Sequence, residues 1–251
     1  MSFLTETLAW LSDPANWVGA GGIPTRLAQH LLFTLVTTVI AAAIAVPIGF
    51  LIGHTGRGRG FAVATSGAFR AIPTLGLLTL VALWVGIGLN APYVALTVLA
   101  IPPILAGAYT GFEAIDRKVI DAARAVGMSE AQIVLKVELP LGLPLLIGGL
   151  RSATLQVVAT ATLAAYVADF GLGRYLFAGL RTRDYGEMLG GSILVILLAI
   201  VLEGVFALVQ KLVVPRGVTA GLPTDIPGGS SRSRPVMEST IEEGNSNVHS
   251  T

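Results

Sequence analysis

From Leu31 to Gly53 the chain carries no Asp, Glu, Lys or Arg. Wound as an α-helix at about 1.5 Å per residue, a run of that length crosses the roughly 30 Å apolar core of a bilayer. A second charge-free stretch, Ala71 to Phe112, is too long for one helix and is broken at Asn90-Ala91-Pro92. The break predicts two spans joined by a tight turn, the first of them starting at Ala71 or as early as Phe61. A fourth span is predicted from about Gly142 to Tyr166, interrupted by Arg151. A fifth runs from about Met188 to Leu212, interrupted by Glu203. The runs are long and do not alternate apolar with polar residues, which argues against spanning β-strands. The fold class is therefore an all-α integral membrane protein of about five transmembrane helices.

Composition agrees. Charged residues make up 12% of the chain, about half the usual share of a water-soluble domain, and the mean hydropathy is +0.77. A net charge of +1 gives no reason to expect nucleic acid, and the absence of cysteine excludes disulfides and thiolate chemistry. His30, His54 and His249 lie far apart and show no metal-ligand spacing. Glu6 and Asp13 stand where a secretory signal would carry positive charge, and no small-residue cleavage site follows.

Basic residues set the expected topology. Arg57 and Arg59 follow span one, and Arg117, Lys118, Arg124 and Lys136 lie between spans three and four. Lys211 and Arg216 close span five. Five spans put these groups on one side, the cytoplasm, and the N-terminus outside; Arg26 and the loop holding Arg174, Arg181 and Arg183 run against this. Residues 1–25 hold Trp10 and Trp17, which suit a membrane interface, as a short surface helix or a disordered lead-in. Residues 26–213 form the membrane domain. Residues 214–251, rich in Gly, Pro, Ser, Thr and Asn, are expected to be a disordered cytoplasmic tail.

The most informative segment is polar. Residues 113–140 read EAIDRKVIDAARAVGMSEAQIVLKVELP, with an apolar stripe of Val119, Ile120, Ala123 and Val126, then Ile133, Val134 and Val137. That spacing is helical. Gly127 is suited to end one helix in a left-handed cap, and Ser129 to start the next as its N-cap. Pro140 predicts that the second helix stops at Glu138-Leu139. The expected product is a helix, a glycine turn and a second helix on the cytoplasmic side.

Asp121-Ala122-Ala123, then Gly127 after three residues, then Val137-x-Leu139-Pro140 after nine more, resembles the EAA loop of ABC importer permeases. Asp121 stands for the family's Glu and Val137 for its Ile. Three further stretches resemble the glycine betaine, carnitine, choline and proline permeases: RAIPTLGLLTLVALWVGIG from Arg70, IPPILAGAYTGFEAID from Ile101, and TATLAAYVADFGLGRYLFAGL from Thr160. The likeness covers roughly residues 27–212. The chain departs from that family, which usually has small residues at Tyr166, Asp169 and Phe170.

The resemblance implies a type I ABC importer permease subunit, not an enzyme. It implies a bacterial plasma-membrane location and a two-subunit pore made with a second copy or a paralogue. Two ATP-binding subunits would use ATP and Mg beneath it, and an extracytoplasmic binding protein would deliver substrate. Asp121, Ala122, Ala123, Gly127, Leu139 and Pro140 would form the ATPase-coupling loop, with Asp121 pairing to a basic residue of the ATPase and the two alanines allowing close approach. No GxxxxGK[ST] phosphate loop occurs in the chain, so hydrolysis would fall to the partner.

Charges inside a membrane are expensive and mark functional positions. Arg70, Arg151 and Glu203 each lie about eight or nine residues from the cytoplasmic end of a span, about 12–14 Å deep. Glu203 is expected to pair with Arg151 or Arg70 and lock one conformation; the alternative is that each arginine snorkels to the interface. Tyr166, Asp169 and Phe170 lie near the outer mouth, to meet either a quaternary ammonium or the binding protein. An intramembrane enzyme needs a nucleophile beside a base, whereas His30 and His54 stand at opposite ends of span one. A secondary transporter usually carries internal repeats, and none is found. An importer of amino acids or another small solute is the alternative within the class.

Overall fold

The computed structural model describes residues 3–213, apart from the Arg70 side chain. The expected tail, 214–251, lies outside the described residues, as does any pairing of Arg70. Among the described residues the secondary structure is entirely helical. Four helices are long and apolar enough to cross a membrane, or five if one sharply bent pair forms a single span.

Helix α1 (Phe3–Ser12) is followed by a 3-10 turn and by α2 (Ile23–Thr55). Helix α2 starts well before Leu31, the predicted boundary. The extra turns carry Arg26 and His30, which are 7% and 1% exposed, and both find polar partners at that end of the molecule. With its charge satisfied, the helix has no reason to stop at the edge of the apolar run.

The second predicted span is not a straight helix. Helices α3 (Arg59–Ala71) and α4 (Thr74–Val85) are bent 91° from one another. Pro73 has no N–H to continue the ladder, and Ile72 before it takes an extended conformation, ψ 124°. The break predicted at Asn90-Ala91-Pro92 falls slightly earlier, in Gly86–Leu89, where Gly86 and Gly88 have positive φ. Pro92 instead sits in the first turn of α5 (Asn90–Glu113), where a missing N–H leaves no bond unmade.

Helix α5 is the centre of the molecule. It packs against α2 on one side and α8 (Leu139–Thr160) on the other. Lipid offers no hydrophobic drive for helix association, so close contact depends on small residues. Gly107 and Gly111 of α5 meet Gly149 and Gly142 of α8. A Cβ on Gly107 would lie 2.6 Å from the Leu145 carbonyl oxygen, and one on Gly111 would lie 2.6 Å from that of Gly142. On the other flank, Gly49 and Gly53 of α2 abut Ala108 and Tyr109.

Helices α6 (Arg117–Ala125) and α7 (Glu130–Ile133) form a hairpin between α5 and α8. A 3-10 turn (Ala161–Tyr166) and α9 (Gly173–Thr182) then precede α10 (Tyr185–Val213), which returns toward the hairpin end. Helix α1 packs on α10: Trp10 covers Gly190 and meets the Tyr175 ring edge-on at 5.0 Å. Leu35, Val39, Ile48 and Leu51 of α2 and Ile196, Ile200, Val201 and Leu208 of α10 face outward, an apolar surface suited to lipid.

The α5–α8 seam separates two adjacent glycines. A Cβ on Gly149 would lie 2.7 Å from the Pro103 carbonyl oxygen, while one on Gly148 meets nothing within 4 Å. Gly149→Val is therefore expected to destabilise the protein by about 1–3 kcal/mol through overpacking, and Gly148→Val to leave stability near wild type. Thermal unfolding of the two variants in detergent checks the difference.

Candidate functional site: the hairpin and its anchor on the first span

Asp116 opens α6 as N-cap, its side chain accepting the Lys118 N–H at 2.9 Å. At the other end Gly127 adopts φ +85°. The Met128 N–H donates to the Ala123 carbonyl (3.1 Å) and the Gly127 N–H to that of Arg124 (2.9 Å). This pair of bonds is a Schellman motif, which a left-handed glycine permits. Ser129 then starts α7 with a capping box: its Oγ accepts from the Gln132 N–H at 3.4 Å, and the Gln132 Oε1 accepts from the Ser129 N–H at 2.9 Å.

The apolar stripe read from the sequence divides in two. Ile120 and Ala123 turn inward onto Ile133, with Ile115, Met128 and Val137 around them. Val119, Ala122 and Val126 turn outward, with Val119 42% and Val126 79% exposed. Ala123 thus packs within the hairpin, and Ala122 is the small residue on its outer surface. Asp121 is largely exposed and faces Arg124 of its own helix at 3.4 Å.

The second helix does not end at Glu138-Leu139-Pro140. It runs through a π-helical turn, Val134–Glu138, directly into α8. The Leu139 N–H reaches back five residues to the Val134 carbonyl. This wider turn, followed by Pro140 where no N–H is required, carries the helix across a dipeptide that an α-helix rejects. The turn also draws Glu138 inside, leaving it 1% exposed.

There Glu138 meets His54 from the last turn of α2. His54 Nδ1 lies 2.6 Å from Glu138 Oε2, and Nε2 lies 3.1 Å from Glu130 Oε2. Arg124 grips Glu130 with two hydrogen bonds, Nε to Oε1 at 2.8 Å and Nη2 to Oε2 at 3.0 Å. The bond to Glu130, with its charge, holds the Arg124 guanidinium above its usual pKa. Sequence reasoning missed this chain of contacts. His54 and Glu138 each mark the end of a span, but nothing in their spacing pairs them.

Further along α8, half-exposed Arg151 donates from Nε to Glu203 Oε2 of α10 at 2.7 Å, and its Nη2 meets Oε1. At the end opposite the hairpin, Asp169 receives Arg26 at 2.8 Å and Arg174 at 3.2 Å. Arg26 also donates to the Asp169 carbonyl at 3.0 Å. His30 completes this clamp: Nδ1 accepts the Leu172 N–H (3.3 Å), so Nε2 carries the proton and donates to the Val158 carbonyl (3.0 Å). Phe170 stacks edge-on against Phe33 and is part of the packing there. Tyr166 is 56% exposed and stands in a concavity with Arg174, Phe177 and Arg181.

Comparison with known proteins bears on this architecture. A family described as "binding-protein-dependent transport system inner membrane component" matches residues 45–217. The chain belongs to that family. The matched stretch runs from the second half of α2 past the end of α10, so it includes His54, the hairpin and Glu138. The choline transport system permease protein OpuBB of Bacillus subtilis is 30% identical over 190 residues, covering 76% of this chain and 88% of the relative. The glycine betaine/carnitine/choline transport system permease protein OpuCB of the same organism is 29% identical over 193 residues, covering 77% and 89%. Among solved structures, an inward-facing MetNI methionine ABC transporter chain aligns with TM-score 0.68 at 26% identity, covering 81% of this chain and all of the other. The chain is a multi-pass permease subunit of an ABC importer. It is a transport subunit rather than an enzyme, and the family implies ATPase and substrate-binding partners.

The hairpin of this permease rests on its caps. Ser129→Ala removes one half of the capping box, a loss of about 0.5–2 kcal/mol at a helix start. Faster hydrogen exchange is expected at the amides of Gln132 and Ile133, with the α5 and α8 amides unchanged; mass spectrometry of exchanged protein reads both.

Proposed function

We propose that this chain is the membrane subunit of an importer for quaternary-amine osmoprotectants: glycine betaine, carnitine, choline or proline. The relatives' substrates support this reading, and the hairpin carries its mechanism. Val119, Ala122 and Val126 present a short apolar face that none of the described residues covers, on a helix whose angle is fixed at Gly127. A groove in an ATP-binding subunit would take that face, with exposed Asp121 turning from Arg124 to a basic residue of that subunit. A dimer of such subunits would bind ATP and Mg. As it closes, it would carry two hairpins and rock the spans of a two-permease pore, in a hinge or shear transition. The second permease is a copy or a paralogue, and a binding protein presents substrate from outside.

The orientation follows from charge. Arg57, Arg59, Arg117, Lys118, Arg124 and Lys136 all belong to the hairpin end, which we assign to the cytoplasm of a bacterial plasma membrane by the positive-inside rule. The C-terminus is then cytoplasmic and α1 lies outside. Tyr166, beside Arg174 and Arg181, suits contact with an acidic rim of the binding protein better than direct contact with a cationic substrate. The likeness to a methionine transporter chain keeps an amino-acid substrate as the second reading.

Gly127→Val sets a β-branched residue at φ +85°, a strain of about 1–3 kcal/mol, and shifts the docking angle. In proteoliposomes with the ATPase and binding protein, it is expected to abolish both uptake of labelled glycine betaine and substrate-stimulated hydrolysis while the complex still assembles. Uptake that persists without ATP would overturn the importer mechanism. Methionine displacing glycine betaine as the transported solute would favour the second reading.

The Arg151–Glu203 pair ties α8 to α10 and is proposed to hold one state of the cycle. An unpaired charge at that depth costs about 3 kcal/mol on insertion scales. Glu203→Lys is therefore expected to lower uptake and assembled complex together, and the swap Arg151→Glu/Glu203→Arg to recover part of both, read by uptake and by size-exclusion yield.

A further inference from the structure

Among the described residues, His54 joins the first span to α7 and to the π-helical turn that follows it. Through Nδ1 it holds Glu138, buried in the π-helical turn that leads into α8. Through Nε2 it holds Glu130, which Arg124 of α6 grips from the other side. A displacement of α6 therefore has a polar route to α2 that does not pass through α5.

Both ring nitrogens face carboxylate oxygens. A neutral imidazole has one N–H and one lone pair, so both contacts are hydrogen bonds only when the ring is doubly protonated. The charged neighbours come from three elements. Glu130 comes from α7 and Glu138 from the π-helical turn. Arg124 of α6 stands behind Glu130, with Asp121 behind it, and Arg117 of α6 approaches Gly56 beyond the end of α2. From α5, the residues against neighbouring Gly53 are Tyr109 and Phe112. Two carboxylates touch the ring, and the two arginines lie further out.

We infer that His54 is a positioning residue for coupling, and that its proton sets how tightly hairpin motion is passed to the first span. The inference rests on the hairpin being the ATPase-coupling element. With the ring doubly protonated, α2, α7 and the π-helical turn move as one. When the proton leaves, the remaining N–H stays on Nδ1, at the shorter contact with buried Glu138. The Nε2 lone pair then faces Glu130 Oε2, and that arm lets go. The sign follows: coupling is strongest on the acid side of the histidine range and weakens as pH rises. Histidine is the side chain that ordinarily changes charge between about pH 5 and 8.

The test uses the whole complex in proteoliposomes with glycine betaine as the labelled solute, and reads solute taken up per ATP hydrolysed. For the wild type this ratio is expected to fall at least fivefold, about the low end of a coupling interaction, between about pH 6 and about pH 8. His54→Lys keeps a cation with several donors at all these pH values, so its ratio is expected to stay flat at the wild-type acid value. Glu130→Gln, at an exposed position where folding is not at stake, is expected to be flat at the wild-type alkaline value. A flat wild-type profile, or variants that keep the wild-type slope, would overturn the inference. A merely structural histidine would lower the yield of complex without changing the slope. Gly127→Val, run alongside, separates the two claims: if it leaves the ratio intact, the hairpin is not the coupling element; if it abolishes coupling while the His54 and Glu130 profiles keep the wild-type slope, only the role of His54 fails.

Discussion

Helices in a bilayer gain nothing by hiding apolar surface from lipid, so this molecule is held by how closely its backbones approach. The α5–α8 seam is where that constraint is met. Gly107 and Gly111 on one helix oppose Gly149 and Gly142 on the other, with main chain against main chain. Helix α2 closes on the opposite flank of α5 through Gly49 and Gly53. Two thirds of the most apolar window of α5 is buried (67%), against 11% for α10. The rest is arranged around α5: the hairpin hangs from its C-terminal end, and α8 carries the chain away again.

Polar contacts are few and specialised on this frame. At one end Arg26, Gln29 and His30 of α2 clamp the segment 169–172 by hydrogen bonds to its backbone and to Asp169. At the other, His54 of the same helix reaches Glu130 and Glu138. Helix α2 is therefore fixed at both ends by polar groups and packed between them by glycine and alanine. A span of 33 residues held this way suits a body that rocks as a unit better than one that bends.

Much of this was legible in the sequence, and the parts that were not have a common cause. Long apolar runs, two of them charge-free and two interrupted by a single charge, located α2, α5, α8 and α10, because crossing a bilayer demands length and apolarity that few other structures need. Gly127 and Ser129 revealed the hairpin's turn, because caps depend on single residues acting locally. Pro73 bends the second predicted span, but it sits inside an apolar run where proline is often tolerated, so the sequence alone does not show the bend. Pro140 misled in the opposite sense, since the π-helical turn ahead of it is a cooperative feature of five residues. The His54–Glu138 and Arg26–Asp169 contacts join residues 84 and 143 positions apart. Arg26 did leave a trace, as a basic residue on the side where the charge rule asks for none.

The π-helical turn has a geometric consequence. It is an α-helix with one residue too many, and each residue turns the chain by about 100°. The spacing between Gly127 and Pro140 therefore acts as a phase setting between the hairpin and α8. Removing one residue from that interval would leave the helices and their composition intact, yet rotate the hairpin about a quarter turn around the α8 axis. Glu138 would leave its pocket and the Val119–Ala122–Val126 face would point elsewhere. Length in this segment thus works as a gear ratio, and substitutions would be tolerated there more readily than a single insertion or deletion.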